Sequence, residues 1–437
     1  MWVEELVIEN VKCYDKIVVR LGTGTKPHRW VTLLGENGTG KSTFLQALCL
    51  ALAGPEITNQ LVRPVGWLRD ESALGKISAK IHKDDHDKGD FGHQKKRQSF
   101  AFTLYITGGK KLTINKKLYS EPAIIENRSR TMTWLRSNAF SADSHGWFAV
   151  GYGAFRRLTR KNQIIVPSLQ KPDRITNFHS QFNENEPLAA LEQWLVYLDY
   201  RIVKDKDREA RRLLEIGINA LNGLLPEGTR YDSVTSDGRI LFNSNGSKVA
   251  TINLSDGYRS VLALGGDLIW RLLEAFPGSE DPLQEEGVVV IDELDIHLHP
   301  SWQRNIAGWL REKFPKLQFI MATHSPMVAA GAGEDAVTYR FRLNKGNVQI
   351  DHVPEIDSFN VDKILQSSAF GLVSTFSPQM QKRIDQYYNI KQKKNPSKDD
   401  EKTLQTVLPF IEKAFAPSPK KGSLDERINS FLDKKLP

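Results

Sequence analysis

The sequence predicts an α/β fold built on a mixed sheet, and three stretches carry that reading. Gly35 to Ser42 is a glycine-rich turn between the apolar run 30–34 and the helix-forming stretch 44–52, so it reads as strand, loop, helix. Residues 288–291 are four apolar residues leading straight into Asp292 and Glu293, the mark of a strand buried on both faces that delivers carboxylates at its C-terminal end. A second buried strand, 317–322, leads into Thr323, His324, Ser325 and Pro326. Open α/β sheets bind ligands at the carboxyl edge of their strands, so all three stretches aim chemistry at one edge.

The turn fits the pattern G-x-x-x-x-G-K-[ST], with Gly35, Gly40, Lys41 and Ser42 at the fixed places. Glycines at 35, 38 and 40 let successive N–H groups point inward and form an anion nest at a helix N-terminus. That chemistry suits the polyphosphate of ATP, with Asn37, Gly38, Thr39, Gly40, Lys41, Ser42 and Thr43 as the binding residues. Lys41 is expected to reach the β- and γ-phosphates, and the Ser42 hydroxyl to ligate Mg²⁺. Asp292 is the expected second metal ligand, and Glu293 the group that polarises the attacking water. A strand ending in Asp-Glu is weak evidence alone and strong beside the turn.

Three further segments carry a family resemblance. LSDGYRS (residues 254–260) resembles the signature motif of ABC-type ATPases, with Asp256 where the transporter form usually has glycine. VVVIDELDIHLHP and FIMATHSP resemble the Walker B, D-loop and switch-histidine series of the branch that includes SMC proteins, RecF and the OLD-like ATPases. The resemblance implies an ABC-type ATPase head: a mixed β-sheet core with an antiparallel β subdomain, a short helical insertion and a helical C-terminal region. It implies that His324 contacts the γ-phosphate. It also implies that Ser255 and Gly257 cap the ATP held by a second copy of the chain, because P-loop and signature of one copy face away from each other, so the chain should form a homodimer or higher oligomer. Lys12, in VIENVKCYDKIVV, stands where SMC-like heads carry a basic residue that touches ATP phosphates.

Plainer readings stand beside these. Ser255 and Gly257 could serve as the N-terminal cap of a helix over 261–272, and His324 to Pro326 as a strand-to-helix turn. His297 and His299 beside Asp295 have the spacing of metal ligands, but no cysteine lies near and the family shows His-Leu-His-Pro without a metal.

The expected domains are 1–155 with the P-loop, a helical insertion over 156–250, 251–355 with signature, Walker B and switch histidine, and a helical 356–437 for partners or oligomerisation. About 210 residues separate Lys41 from Ser255 and no heptads persist through them, which excludes a long coiled-coil arm. Residues 70–120 are polar and strand-like; 99–107 and 147–152 read as strands; 188–198 and 209–224 carry apolar residues at helical spacing. Later expectations are strands at 337–342 and 348–352, and helices at 361–366, 403–415 and 424–432.

With 437 residues there is length for a large core, and two cysteines argue against a disulfide framework or zinc fingers. No run approaches 18 apolar residues and the start reads as a strand, so the expectation is a cytoplasmic chain without a membrane span. A net charge of +8 and a pI near 9.2 hint at polyanions, with basic clusters at 95–97, 156–161 and 201–212 and in the tail. There is no HNH pattern, no second acidic cluster and no nucleophilic triad, leaving nucleotide hydrolysis as the chemistry on offer. The closing passage SSAFGLVSTFSPQMQKRIDQYYNIKQKKN resembles ATPase subunits of Septu and retron-linked antiphage systems, which implies a separate nuclease subunit of HNH type as partner and nucleic acid reached through the complex. A RecF-type repair ATPase that binds DNA itself, or an importer's ATPase subunit, remain the rival readings.

Overall fold

The computed structural model describes residues 1–85, 87, 89, 91, 98–108, 112–114, 117–119, 121–141, 146–154, 171–183, 190–225, 228–354, 356–393 and 396–415. The chain divides into two compact units, Met1–Gly371 and Leu372–Pro437.

The first unit opens with β1 (Trp2–Val11), β2 (Tyr14–Arg20), a small ribbon β3 (Gly22–Thr23) and β4 (Lys26–Pro27), then β5 (Trp30–Gly35), α1 (Lys41–Ala53) and α2 (Pro55–Leu61). Next come β6 (Gly75–His82), β7 (Ser99–Gly108), the hairpin β8 (Leu112–Ile114) and β9 (Lys117–Tyr119), β10 (Pro122–Glu126), α3 (Arg130–Asn138), β11 (Phe148–Tyr152) and α4 (Thr176–Phe182). The hairpin of helices α5 (Ala190–Asp205) and α6 (Arg208–Leu224) precedes β12 (Thr229–Val234), β13 (Ile240–Ser244) and β14 (Ser247–Ala250). The unit continues through α7 (Asp256–Ala275), β15 (Gly287–Ile291), α8 (Pro300–Lys313), β16 (Leu317–Ala322), α9 (Pro326–Ala330), β17 (Val337–Asn344), β18 (Asn347–Val353) and α10 (Val361–Gln366).

Two sheets organise it. The six-stranded sheet has the order β11-β15-β16-β5-β17-β18, parallel throughout except for β18. The five-stranded sheet, β10-β7-β6-β1-β2, is antiparallel. Its strands alternate as a half-buried sheet should: Ile77, Ala79 and Ile81 are buried, while Lys76 and Lys80 between them pair with Glu9 and Glu4 on β1. Gln318, fully buried on β16, joins the two sheets: it accepts from Val3 N–H at 2.8 Å and donates to the carbonyls of Val3 and Leu21 at 3.0 and 2.7 Å. A buried amide with its hydrogen bonds made costs little and fixes register.

Alternation along the parallel strands divides the core. Val288 and Val290, with Ile320 and Ala322, pack with α1 in one cluster; Val289 and Ile291, with Phe319 and Met321, pack with α7, α5 and α6 in another. Helix α1 therefore covers one face of the sheet and α7 the other.

The insertion departs from the all-helical expectation for 156–250. Helices α5 and α6 form as the spacing predicts, burying Trp194 and Leu195 against Leu221 and Leu224, while Leu188 lies outside the described residues. Residues 229–250, by contrast, form a three-stranded meander. Asn245 and Gly246, both at positive φ (50° and 86°), make the two-residue hairpin turn between β13 and β14, an Asn-Gly signal legible in the sequence.

In the second unit, α11 (Pro378–Lys391) is followed by α12 (Lys398–Phe415). Helix α12 starts earlier than the expected 403 because Ser397 and Asp400 cap each other reciprocally, the serine hydroxyl accepting from Asp400 N–H at 3.2 Å and the carboxylate from Ser397 N–H at 2.9 Å. The expected helix at 424–432 lies outside the described residues. No described helix is long and apolar enough to cross a membrane.

Candidate active site

The glycine-rich turn joins β5 to α1 as the pattern predicts. Gly38 and Gly40 take positive φ, 78° and 94°, and a Cβ on Gly40 would stand 2.7 Å from both Cys13 Sγ and the Tyr14 hydroxyl. Tyr14 donates that hydroxyl to the Gly40 carbonyl at 2.7 Å, so the β1–β2 turn braces the start of α1. Lys41 folds back across the loop and donates to the carbonyls of Gly35 (2.8 Å) and Glu36 (3.0 Å), while Thr39 donates to Glu36 O at 2.7 Å. Asn37 and Ser42 are exposed and Thr43 is half-buried. Burial lowers the Lys41 pKa, and Asp292, Glu293 and Asp295 oppose the shift, so these three carboxylates lie within electrostatic reach of the same ammonium.

All three follow β15 directly. Asp292 is buried, and its N–H donates to Tyr152 O at the end of β11 (2.8 Å). Glu293 holds a left-handed φ of 49°, a conformation costly for a side chain with a Cβ and concentrated at functional sites. Asp295 reaches sideways to the segment after β16: its carboxylate accepts from the Thr323 hydroxyl and from His324 N–H (3.2 Å). Ser325 caps α9, accepting from the N–H groups of Met327 and Val328, and donates to Gln303 Oε1 at 2.7 Å. Gln303 in turn donates to the carbonyls of Asp295 and Leu298. The segments that follow β15 and β16 are thus one hydrogen-bonded assembly. Burial and then Lys41 push the His324 pKa down against Asp295 and Asp292, which keeps the ring neutral at pH 7. No local pattern in the sequence names Asp295, Thr323 and Gln303 for this tie; only the fold brings strands β15 and β16 side by side.

Ser42 and Asp292 offer hard oxygen donors, the type Mg²⁺ prefers. Among the described residues there is no group of three or more His, Cys, Asp or Glu that could hold a metal ion. His299 has a different task from the metal spacing considered above: its ring nitrogen accepts from Ser301 N–H at 3.3 Å and caps α8.

The signature segment lies across the sheet. Ser255 is the N-cap of α7 by backbone geometry, but its side chain makes no capping bond and is exposed. Gly257 approaches the segment after Glu293 closely, its Cβ position lying 3.2 Å from His297 O, and Tyr258 packs edge-on to Trp302 of α8. Lys12 sits over the Trp67 ring (4.1 Å to the centroid) and donates to Gln46 of α1 at 3.1 Å, one turn beyond Ser42. The basic clusters 95–97 and 156–161 lie outside the described residues. In the cluster at 201–212, Arg201 pairs with Asp207 and Arg212 with Glu209.

Comparison with known proteins decides the family. The family model described as "AAA domain, putative AbiEii toxin, Type IV TA system" matches residues 31–330. The chain belongs to this AAA-domain ATPase family. Within the reach of that family, the chain is similar to the "Retron Vc95 probable ATPase" of Vibrio cholerae serotype O1 biovar El Tor, at 42% identity with 77% of this chain and 75% of that protein covered. It is also similar to "Septu protein PtuA" of Bacillus mycoides (strain KBAB4), at 28% identity over 94% of this chain. The chain spans about half the length of that PtuA, 51%. Among solved structures, an SMC head bound to the C-winged helix domain of ScpA matches with a TM-score of 0.50 and 14% identity, covering 82% of this chain and all of that one, a likeness of fold.

Proposed function

We propose that this chain is the ATPase subunit of a bacterial antiphage defence complex, which binds and hydrolyses ATP where the P-loop of one copy meets the signature segment of another and so controls a separate nuclease of HNH type. One observation carries the reading: Lys41, Asp292, Glu293, Asp295 and His324 share one electrostatic neighbourhood, whereas Ser255 opens a helix on the opposite face of the sheet. The names of the Septu and retron relatives support the biological setting. The nuclease class rests on the resemblance of the closing passage.

In this mechanism Lys41 exchanges the carbonyls of Gly35 and Glu36 for the β- and γ-phosphate oxygens, and the first N–H groups of α1 cradle the same anion. Ser42 and Asp292 would hold Mg²⁺, which supplies charge neutralisation at the transferring phosphoryl group. Glu293 accepts the proton of the attacking water. The neutral ring of His324 donates an N–H to the γ-phosphate, and the Asp295 bond to its backbone reports a shift of the D-loop segment. The exposed hydroxyl of Ser255 and the positive end of α7 face the phosphate held by the next copy.

The test is a mixture. Lys41→Ala and Ser255→Arg chains should each be inactive alone; mixed in equal amounts as dimers they should regain about a quarter of the sites, because in half the dimers one interface pairs an intact P-loop with an intact signature. No recovery would count against the shared site.

A further inference from the structure

Tyr152, Asp267, Arg271 and Asn177 form a buried polar chain that none of these steps uses. Tyr152 ends β11 and its hydroxyl donates to Asp267 Oδ2 at 2.8 Å. Asp267, fully buried on α7, also accepts from Arg271 Nε at 2.6 Å. Arg271 Nη1 donates to Asn177 Oδ1 on α4 at 2.6 Å, and Asn177 donates back to Ala149 O on β11 at 3.1 Å. Ser180 of the same helix adds a bond to Gly151 O at 3.1 Å. The chain therefore starts and ends on one strand, from Tyr152 at its end to Ala149 near its start, and the strand end presents the Tyr152 carbonyl to the N–H of Asp292 at 2.8 Å.

Stability does not require such a network here, since apolar residues of similar volume in place of a buried ion pair are often as stable or more so. What the network supplies is register. Moving α7 by one residue advances it by 1.5 Å and turns it by about 100°, which would carry Asp267 away from Tyr152 and leave the Arg271 charge buried beside nothing. Helix α7 begins at the signature serine, and the strand end it grips holds the backbone of the candidate metal ligand. Burial raises the Tyr152 pKa well above its ordinary value, so the hydroxyl remains a donor at any working pH.

We propose that Tyr152 and Asp267 are positioning residues that place the Asp292 carboxylate for Mg²⁺ and tie that placement to the axial setting of the signature helix. This deepens the reading given under Proposed function and rests on its assignment of Asp292.

The experiment uses the full chain with Tyr152→Phe, Asp267→Asn and the double variant. Three quantities are measured: binding of a fluorescent ATP analogue in EDTA, the Mg²⁺ concentration that half-saturates ATP-dependent thermal stabilisation, and the melting temperature without nucleotide. Tyr152→Phe should keep metal-free nucleotide affinity and melting temperature close to those of the unaltered chain while raising the Mg²⁺ requirement about 10-fold, the usual scale for losing an outer partner of a metal ligand. Asp267→Asn should raise the Mg²⁺ requirement similarly although it lies on α7, and the double variant should add little beyond either single one. An unchanged Mg²⁺ requirement in Tyr152→Phe overturns the proposal, as does a loss of stability and metal-free binding without a separate Mg²⁺ effect. Fully additive shifts overturn the link to α7. An unaltered chain whose ATP binding ignores Mg²⁺ overturns the assignment of Asp292 itself, and is recognised by needing no variant.

Discussion

Five of the described helices begin at a serine: α3 at Ser129, α7 at Ser255, α9 at Ser325, α11 at Ser377 and α12 at Ser397. In four of them the side chain accepts a backbone N–H of the first turn, as capping serines do; in α7 it does not. The P-loop helix α1 differs again, since its N-cap is Gly40 and the neighbouring Lys41 and Thr39 satisfy the loop's carbonyls. Compared side by side, α9 is finished within the chain, α1 is furnished with a cation, and α7 is left with an open N-terminus and an exposed hydroxyl. A helix end that the chain does not finish is one that something else can approach, and here the positive end of a 20-residue helix points outward.

The strongest way to break this contrast is Glu293→Gln. If the P-loop side carries the chemistry, the variant should retain ATP and lose turnover by about 10²- to 10⁴-fold, the range for removing a general base; single-turnover and nucleotide-retention assays measure both. Unchanged turnover would remove Glu293 from that role.

Gly40→Ala comes next. The added methyl has no room between Cys13 and Tyr14 and the backbone is left-handed there, so a stability loss exceeding about 1 kcal/mol and a loss of ATP binding are expected by urea denaturation and titration. A stable variant with normal affinity would show that the turn relaxes.

The serines themselves give the sharpest comparison. Ser325→Ala should cost about 1 kcal/mol because a cap is lost. Ser255→Ala should leave stability within about 0.5 kcal/mol, since no bond is broken, while lowering ATP-driven assembly and turnover. Equal stability losses would mean that Ser255 caps α7 after all.

The smallest effect is in pH. Burial and Lys41 hold the His324 pKa below the ordinary 6.5, so protonation is disfavoured and the neutral ring persists as pH falls past that value. The acid limb of turnover should accordingly lie below pH 6.5, and His324→Gln should remove it. A limb at or above 6.5 would contradict the environment described for the ring.

Much of the site was legible in the order of residues. Glycine at 38 and 40 is demanded by backbone angles that other residues avoid, and a run of apolar residues ending in acids, beside the glycine-rich turn, reads as a strand covered on both faces. The meander at 229–250 was missed in favour of a helical insertion: Asn245 and Gly246 signal its hairpin turn, but its strands are short and half-exposed and their alternation is weak. Lys12 shows the limit. Its side chain is drawn to the Trp67 ring and the Gln46 amide, partners that lie 55 and 34 residues away and that no local pattern names.

Local chemistry thus determined which residues could bind phosphate, hold a metal or begin a helix, because those properties depend on a few consecutive side chains and on allowed backbone angles. The tertiary structure decided which of them meet. Pairing β15 with β16 set Asp295 against Thr323 and His324, the alternation of the sheet put α1 and α7 on opposite faces, and packing brought Asp267 to Tyr152, more than a hundred residues away. Burial makes those contacts strong, and burial is a property of the assembled fold.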